Sequence, residues 1–257
     1  MTDKQGIIFI LLSQLIWGVT PVIIKSVPLT LPTSLLIATR YVLGGIILLV
    51  FILLNKRSVA GLKKLTKRQV LEIIMLGIVG SGLADLFAVH AIREIGVIIA
   101  VMIVRLEIPL GVLFAALILK EKITPRIILA TVVSLWGVFL ISYHPGLMID
   151  IHNGFFMGIV SAFVASILWA FAGVYAKKVL SDNVSPTFLA AGRMSVGGIF
   201  SFAFAYYTLG QITPYFVNLK METWLSLLFL TVVSSVAAFV LYYKGLERSK
   251  HQEPRFF

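Results

Sequence analysis

Charged side chains inside long apolar runs are the residues of this sequence best suited to chemistry. Arg40, Asp85, Arg105, Glu107 and Arg193 all lie well inside runs of about twenty mostly apolar residues. A charge in hydrocarbon costs at least about 2.5–3.5 kcal/mol on insertion scales, so such residues face a partner, a bundle interior or water. Three positive charges against two negative ones leave one positive charge in excess. In a wet cavity, that excess would favour ligands that carry a carboxylate or a phosphate.

The depth of each charged residue in its run predicts its partner. At a rise of about 1.5 Å per residue, Arg40, Asp85 and Arg105 lie at a similar level, and Glu107 lies nearer the midplane. Arg105 and Glu107 are two residues apart, point to nearly opposite faces of a helix and are not expected to pair. Asp85 is expected to pair with Arg40 or Arg105. Two alternatives stay open: the pairs only lock helices together, or Arg193 snorkels to the membrane interface.

Two tryptophans and two prolines are further candidates for a site. Trp17 and Trp169 lie in the middle of their runs, although tryptophan usually gathers at membrane interfaces. An indole at mid-membrane either stacks on a flat substrate or fills the core. Pro21 and Pro109 are helix-break candidates, because a broken helix offers free backbone groups to a ligand.

The apolar runs that hold these residues identify an all-α polytopic membrane protein. The chain is 59% hydrophobic and 13% charged, with a mean hydropathy of +1.01, whereas a soluble domain has about 25% charged residues. A helix needs about 20 apolar residues to cross a bilayer. Eight runs meet this requirement, at roughly 7–26, 34–54, 70–92, 97–119, 126–143, 155–176, 187–209 and 223–246.

The basic residues predict the orientation of these spans. With the amino terminus in the cytoplasm, sixteen Lys and Arg residues fall in cytoplasmic segments, three in outer segments and three inside spans, as the positive-inside rule requires. This bias explains the net charge of +11 without a nucleic-acid partner. The expected surroundings are the lipid bilayer of a plasma membrane, such as a bacterial inner membrane.

The two halves of the sequence resemble each other. Gly6 to Lys25 aligns on Gly158 to Lys177, and Ala38-x-Arg40-x-x-x-Gly44-Gly45-Ile46 aligns on Ala191-x-Arg193-x-x-x-Gly197-Gly198-Ile199. The repeat period covers five spans, an odd number, so the second copy enters the membrane upside down. We therefore predict inverted five-helix repeats, with five spans in residues 1–146 and an incomplete second copy of three spans in residues 147–257.

Several of these motifs together resemble a known family. They are Trp17-Gly18 in the first span, Lys25 near its end, Arg-x-x-x-Gly-Gly in the second span, and Leu119-Lys120-Glu121-Lys122 after the fourth. In this respect the chain resembles the EamA-type branch of the drug/metabolite transporter superfamily. The resemblance implies ten helices in two inverted five-helix repeats, and movement of small metabolites, often outward. The last two of those ten helices have no counterpart in this sequence.

The expected function is therefore secondary-active export of a small polar metabolite by alternating access, with no cofactor and no metal. An enzyme is not expected, because the sequence has no Gly-x-Ser-x-Gly, no His-Glu-x-x-His, no phosphate-binding loop and no cysteine. The alternative is a non-transporting or accessory membrane protein, or a truncated inactive form. Whether the chain forms a homodimer or needs a helper subunit is left open.

Overall fold

The computed structural model describes residues 3–142, 153–217 and 219–249. In these ranges the regular secondary structure is helical, and short turns and loops connect the helices. Helices suit these apolar runs because every backbone N–H and C=O group in lipid needs a partner within its own segment. The α-helices are α1 (Asp3–Ser26), α2 (Thr33–Leu53), α3 (Lys56–Leu62), α4 (Lys67–Leu76), α5 (Ala84–Val104), α6 (Glu107–Ile118), α7 (Pro125–Ser142), α8 (Asn153–Ser181), α9 (Pro186–Leu209), α10 (Pro214–Val217), α11 (Met221–Phe229) and α12 (Ala238–Ser249).

Two π-helical segments interrupt this α-helical pattern. The first, π1 (Gly77–Leu83), joins α4 to α5, and the second, π2 (Leu230–Ala237), joins α11 to α12. Helices of this wider geometry are rare and occur frequently at functional sites. Each π segment lies inside a longer apolar helix: π1 within Lys67–Val104, and π2 within Met221–Glu247.

Six continuous helices in the described part of the chain are long and apolar enough to cross a membrane. They confirm the prediction of a polytopic all-α membrane protein. Their bounds are Gln5–Ser26, Thr33–Leu53, Lys67–Val104, Gly154–Ser181, Pro186–Leu209 and Met221–Glu247.

The predicted fourth and fifth spans differ from this pattern. The fourth, at 97–119, is divided between the end of α5 and the shorter helix α6, and the fifth contains a shorter apolar helix, Pro125–Gly137. Gly96 bends the helix at the predicted gap before the fourth span, with φ 76° and ψ 166°. This backbone conformation is essentially restricted to glycine. In the described ranges, six helices rather than the predicted eight are thus long enough to span a membrane by themselves.

The close crossing of α2 and α9 forms the centre of the bundle. A Cβ on Gly45 would lie 2.6 Å from Ser195 Oγ, and a Cβ on Gly198 would lie 2.6 Å from the Val42 backbone nitrogen. Glycine lets two helix backbones approach to this distance. Gly45 and Gly198, one from each Gly-Gly pair, therefore both allow the close approach of α2 and α9.

Each of these central helices also packs against the π segment of the other half of the sequence. α9 packs against π1 and α2 packs against π2. Arg193 of α9 follows Arg40 of α2 by 153 positions, and Ser234 of π2 follows Ser81 of π1 by the same number. The two packings therefore involve equivalent positions of the two halves. The inverted five-helix repeat remains a prediction, and its boundary at 146/147 lies outside the described residues.

Candidate functional site

A cavity of about 230 Å³ lies between the helices, and most of the predicted site residues line it. α1, α2, α5, α8, α9 and α12 contribute to its wall, together with the start of α6. Eight of the nine candidates line it: Trp17, Pro21, Arg40, Asp85, Arg105, Glu107, Trp169 and Arg193. Pro109 is not part of the described lining.

Asp85 is the most heavily hydrogen-bonded acidic group of the cavity. Its Oδ2 accepts from Tyr41 Oη at 2.5 Å and from Arg40 Nη1 at 3.3 Å, and its Oδ1 accepts from Trp169 Nε1 at 3.0 Å. Asp85 and Arg40 are each only 4% exposed. The expected pairing of Asp85 with an arginine is confirmed, and Arg40 is the partner. A buried pair is stable only when such additional hydrogen bonds satisfy it.

Arg40 connects this pair to the second π segment. Its Nε donates to Ser235 Oγ at 2.5 Å and its Nη2 donates to Ser234 Oγ at 3.3 Å. Thr20 Oγ1 of α1 lies 2.7 Å from the same Ser234 hydroxyl. Arg40 therefore joins α2, α5 and π2 through a single guanidinium group.

Arg193 makes the equivalent contact with the first π segment. Its Nε donates to Ser81 Oγ at 2.8 Å, its Nη2 to the Gly80 carbonyl at 2.8 Å, and its Nη1 to Tyr243 Oη at 2.7 Å. The residue is 4% exposed, so the snorkelling alternative is wrong. Gly80 provides the necessary space, because a Cβ there would lie 2.5 Å from Arg193 Nη2.

Arg105 and Glu107 do form a pair, contrary to the prediction from helix geometry. Arg105 Nη1 lies 3.3 Å from Glu107 Oε1, and both side chains are about one-third exposed. The prediction assumed about 100° per residue along an uninterrupted α-helix. Instead the backbone tightens between α5 and α6, where the N–H of Ile108 donates to the Arg105 carbonyl three residues earlier. This 3₁₀-type turn brings the two side chains closer together.

Of the two helix-break candidates, only Pro109 lies next to an interruption of its helix. α1 continues without interruption from Asp3 to Ser26, so Pro21 does not end it, and membrane helices tolerate an internal proline. Pro109 lies in the first turn of α6, directly after Ile108, the last residue of the tightened turn. A proline ring clashes with the carbonyl four residues earlier, here that of Arg105. Pro109 therefore explains the interruption without itself lining the described cavity.

Both mid-membrane tryptophans use their indole N–H groups inside the protein. Trp17 Nε1 donates to the Ser234 carbonyl at 3.0 Å, and Trp169 Nε1 donates to Asp85. Trp17 also packs edge-on against Phe239, with the ring centroids 5.1 Å apart. Each indole is thus fixed in position while part of it faces the cavity.

The sequence analysis missed several polar groups that complete the site. They are Tyr41, Ser81, Ser234, Ser235 and Tyr243. Ser81 and Ser234 are separated by the same 153 positions as the two arginines, so the repeat contained a signal for them. Tyr41 and Tyr243 had no such signal. Within the described ranges, no three His, Cys, Asp or Glu side chains cluster as a metal site would require.

At one end of the bundle, polar residues in or just after α4, α6 and α8 contact one another. At the start of α4, Arg68 Nη2 lies 3.7 Å from Asp182 Oδ2 and Gln69 Nε2 donates to the Asp182 carbonyl at 2.9 Å. Lys177 Nζ lies 2.5 Å from Glu121 Oε1, just after α6. These contacts place the 63–69 segment and the 177–182 segment at the same end of the molecule.

The opposite end is held by a second set of contacts. Arg93 Nη1 donates to Thr33 Oγ1 at 3.0 Å, at the start of α2. Ser26 at the end of α1 lies 3.4 Å, Oγ to Oγ, from Ser226 of α11, and α11 begins directly after Lys220. The helices are therefore joined by one set of polar contacts at each end of the bundle, and the cavity lies between these two ends.

Comparison with known proteins identifies relatives of this arrangement. The model of the EamA-like transporter family matches residues 4–143 and 156–253. A solved crystal structure of 20% sequence identity aligns with a TM-score of 0.71, over 96% of this chain and 79% of the solved one. At this identity the solved structure supports the fold alone. No curated protein matches the sequence.

Proposed function

Because the chain belongs to the EamA-like transporter family, we propose that it exports a small polar metabolite by secondary-active, alternating access. The observation that carries the proposal is the cavity, in which the buried Arg40–Asp85 pair and Arg193 contact the two π segments. Arginine–serine contacts at equivalent positions of two halves suit a molecule whose halves move against each other. In this mechanism the cavity binds the substrate, and the two connected ends open in turn.

We further propose that the protein lies in a plasma membrane. The end of the bundle that contains α3 and the start of α4 then faces the cytoplasm, as does the amino terminus. Six apolar helices in the described part of the sequence, together with the family, make the chain an integral, multi-pass membrane protein. The basic residues around Lys63 and Lys177 support the orientation through the positive-inside rule.

Cysteine labelling tests this orientation directly, because the natural chain has no cysteine. We expect Lys63→Cys and Lys177→Cys to react with a membrane-impermeant maleimide from the cytoplasmic side of oriented vesicles. Lys220→Cys should react only from the opposite side, since it precedes α11 at the other end. Labelling of the first two positions from opposite sides would contradict both the orientation and the inverted repeat.

Two-sided access to one cavity position tests the mechanism. Val101 lines the cavity, so alternating access predicts that Val101→Cys reacts with the impermeant maleimide both in right-side-out and in inside-out vesicles. Leu48→Cys is the matched control, because Leu48 is 4% exposed, lies outside the described cavity lining and should react from neither side. Reaction of Val101→Cys from one side alone would favour a non-transporting or accessory protein.

A further inference from the structure

The ionisable groups of the described cavity wall do not balance one another. Asp85 lies against Arg40 and Glu107 lies against Arg105, each pair at 3.3 Å. Arg193 is the fifth charged residue of this lining. Among the described residues, no carboxylate lies within 4 Å of its guanidinium group, and its hydrogen-bond acceptors are two hydroxyls and a carbonyl. The excess positive charge of the cavity therefore resides on Arg193.

A buried charge without a counter-charge is costly, and an anion that enters the cavity lowers this cost. Arg193 is 4% exposed, so water screens its charge only weakly. Its guanidinium also lies over the Phe239 ring, 4.8 Å from the centroid, which fixes the group beside the cavity. A planar guanidinium with N–H groups still available suits a carboxylate.

The rest of the wall limits the remainder of the ligand. Most other lining side chains are aliphatic or aromatic, among them Ile92, Val101, Val104, Trp17 and Tyr242. The cavity of about 230 Å³ is smaller than the roughly 300–1,000 Å³ of sites for drug-sized ligands. Since Asp85 and Glu107 each have an arginine partner, an ammonium group would have to compete with that arginine for either carboxylate.

We infer that the cavity binds a small organic monoanion, with one carboxylate on an apolar or aromatic body, in preference to a zwitterion, an amide or a cation. Arg193 supplies the attraction for the carboxylate, and the aromatic wall contacts the body. This inference rests on the proposed function, in that it identifies the cavity as the substrate site and names the class of substrate.

Four probes of one shape test this preference in the purified full chain. They are 3-phenylpropanoate (anion), 3-phenylpropanamide (neutral), phenylalanine (zwitterion) and 3-phenylpropylammonium (cation). Binding is followed by the change in fluorescence of Trp17 and Trp169, which both line the cavity. We expect the anion to bind at least about tenfold more tightly than each of the others, which corresponds to about 1.4 kcal/mol. Equal or tighter binding of another probe, or no binding of the anion, would overturn the inference.

Variants at Arg193 distinguish attraction of the ligand carboxylate by this arginine from a purely structural role of the residue. Arg193→Gln should bind the anion and the amide equally, whereas Arg193→Lys should keep part of the preference. Ser81→Ala, which removes a neutral acceptor of Arg193, should keep it fully. If Arg193→Gln weakened all four probes alike, or if Ser81→Ala abolished the preference, the inference would be wrong. Should Arg193→Gln fail to fold, the order of the four probes in the natural chain decides.

This binding experiment is independent of the test of transport. If the anion is not preferred while Val101→Cys still reacts from both sides of the membrane, the substrate class is wrong and the transport mechanism stands. If the anion is preferred while Val101→Cys reacts from one side only, the cavity binds an anion without alternating access.

Discussion

Asp85→Ala is expected to lower the free energy of unfolding by about 3–5 kcal/mol, the usual cost of removing one partner from a buried ion pair. The substitution leaves Arg40 buried without its counter-charge, and it removes the acceptor of Tyr41 Oη and Trp169 Nε1. Denaturant unfolding of the protein in detergent micelles measures the loss. Asp85→Asn keeps an acceptor oxygen but not the charge, so its effect should be smaller.

The matched control for this prediction is an exposed pair in the same protein. Glu121 and Lys177 form an ion pair with side chains about 40% exposed, and exposed pairs contribute about 0–1 kcal/mol. Glu121→Ala should therefore change the stability only slightly. If Asp85→Ala were as mild as Glu121→Ala, the buried network around Asp85 would not hold the helices together.

Gly198→Ala is the second substitution with a large expected effect, a destabilisation of about 3 kcal/mol, near the upper end of typical overpacking costs. The added Cβ would lie 2.6 Å from the Val42 nitrogen and 2.8 Å from the Tyr41 carbonyl carbon. Both are backbone atoms, so no side-chain rotation relieves the contact and α2 must move away from α9. Because Arg40 and Arg193 lie on these two helices, this movement should also loosen the contacts with both π segments.

Gly111→Ala provides the control of opposite sign. Gly111 is in the interior of α6, and among the described residues no atom from outside the surrounding turns of that helix lies within 4 Å of a Cβ at this position. Alanine is favoured over glycine by about 0.5–1 kcal/mol in such a position. We therefore expect Gly111→Ala to stabilise the protein slightly. A Gly198→Ala protein as stable as Gly111→Ala would show that the α2–α9 crossing is not close-packed at Gly198.

The residues of the cavity were predictable because a charge in lipid is too costly to retain without a partner or water. For this reason the sequence alone identified five charged residues as candidates for the site, and all five line one cavity: Arg40, Asp85, Arg105, Glu107 and Arg193. The pairing of Arg105 with Glu107 was not predictable from an ideal helix, because Pro109 tightens the preceding turn. Tyr41 and Tyr243 were not predicted, because a neutral tyrosine in an apolar span gives no comparable signal.

The sequence by itself determined the membrane location, the helical class and the set of charges that had to meet, because hydrocarbon restricts backbone and side-chain polarity residue by residue. The tertiary structure alone decided which charges cancel. Arg40 and Arg193 occupy equivalent places in their two sequence motifs, yet one lies against Asp85 and the other against hydroxyl and carbonyl oxygens. That difference depends on the helices that approach from elsewhere in the chain, since a buried group takes its charge partner from whichever neighbour lies within a few ångströms.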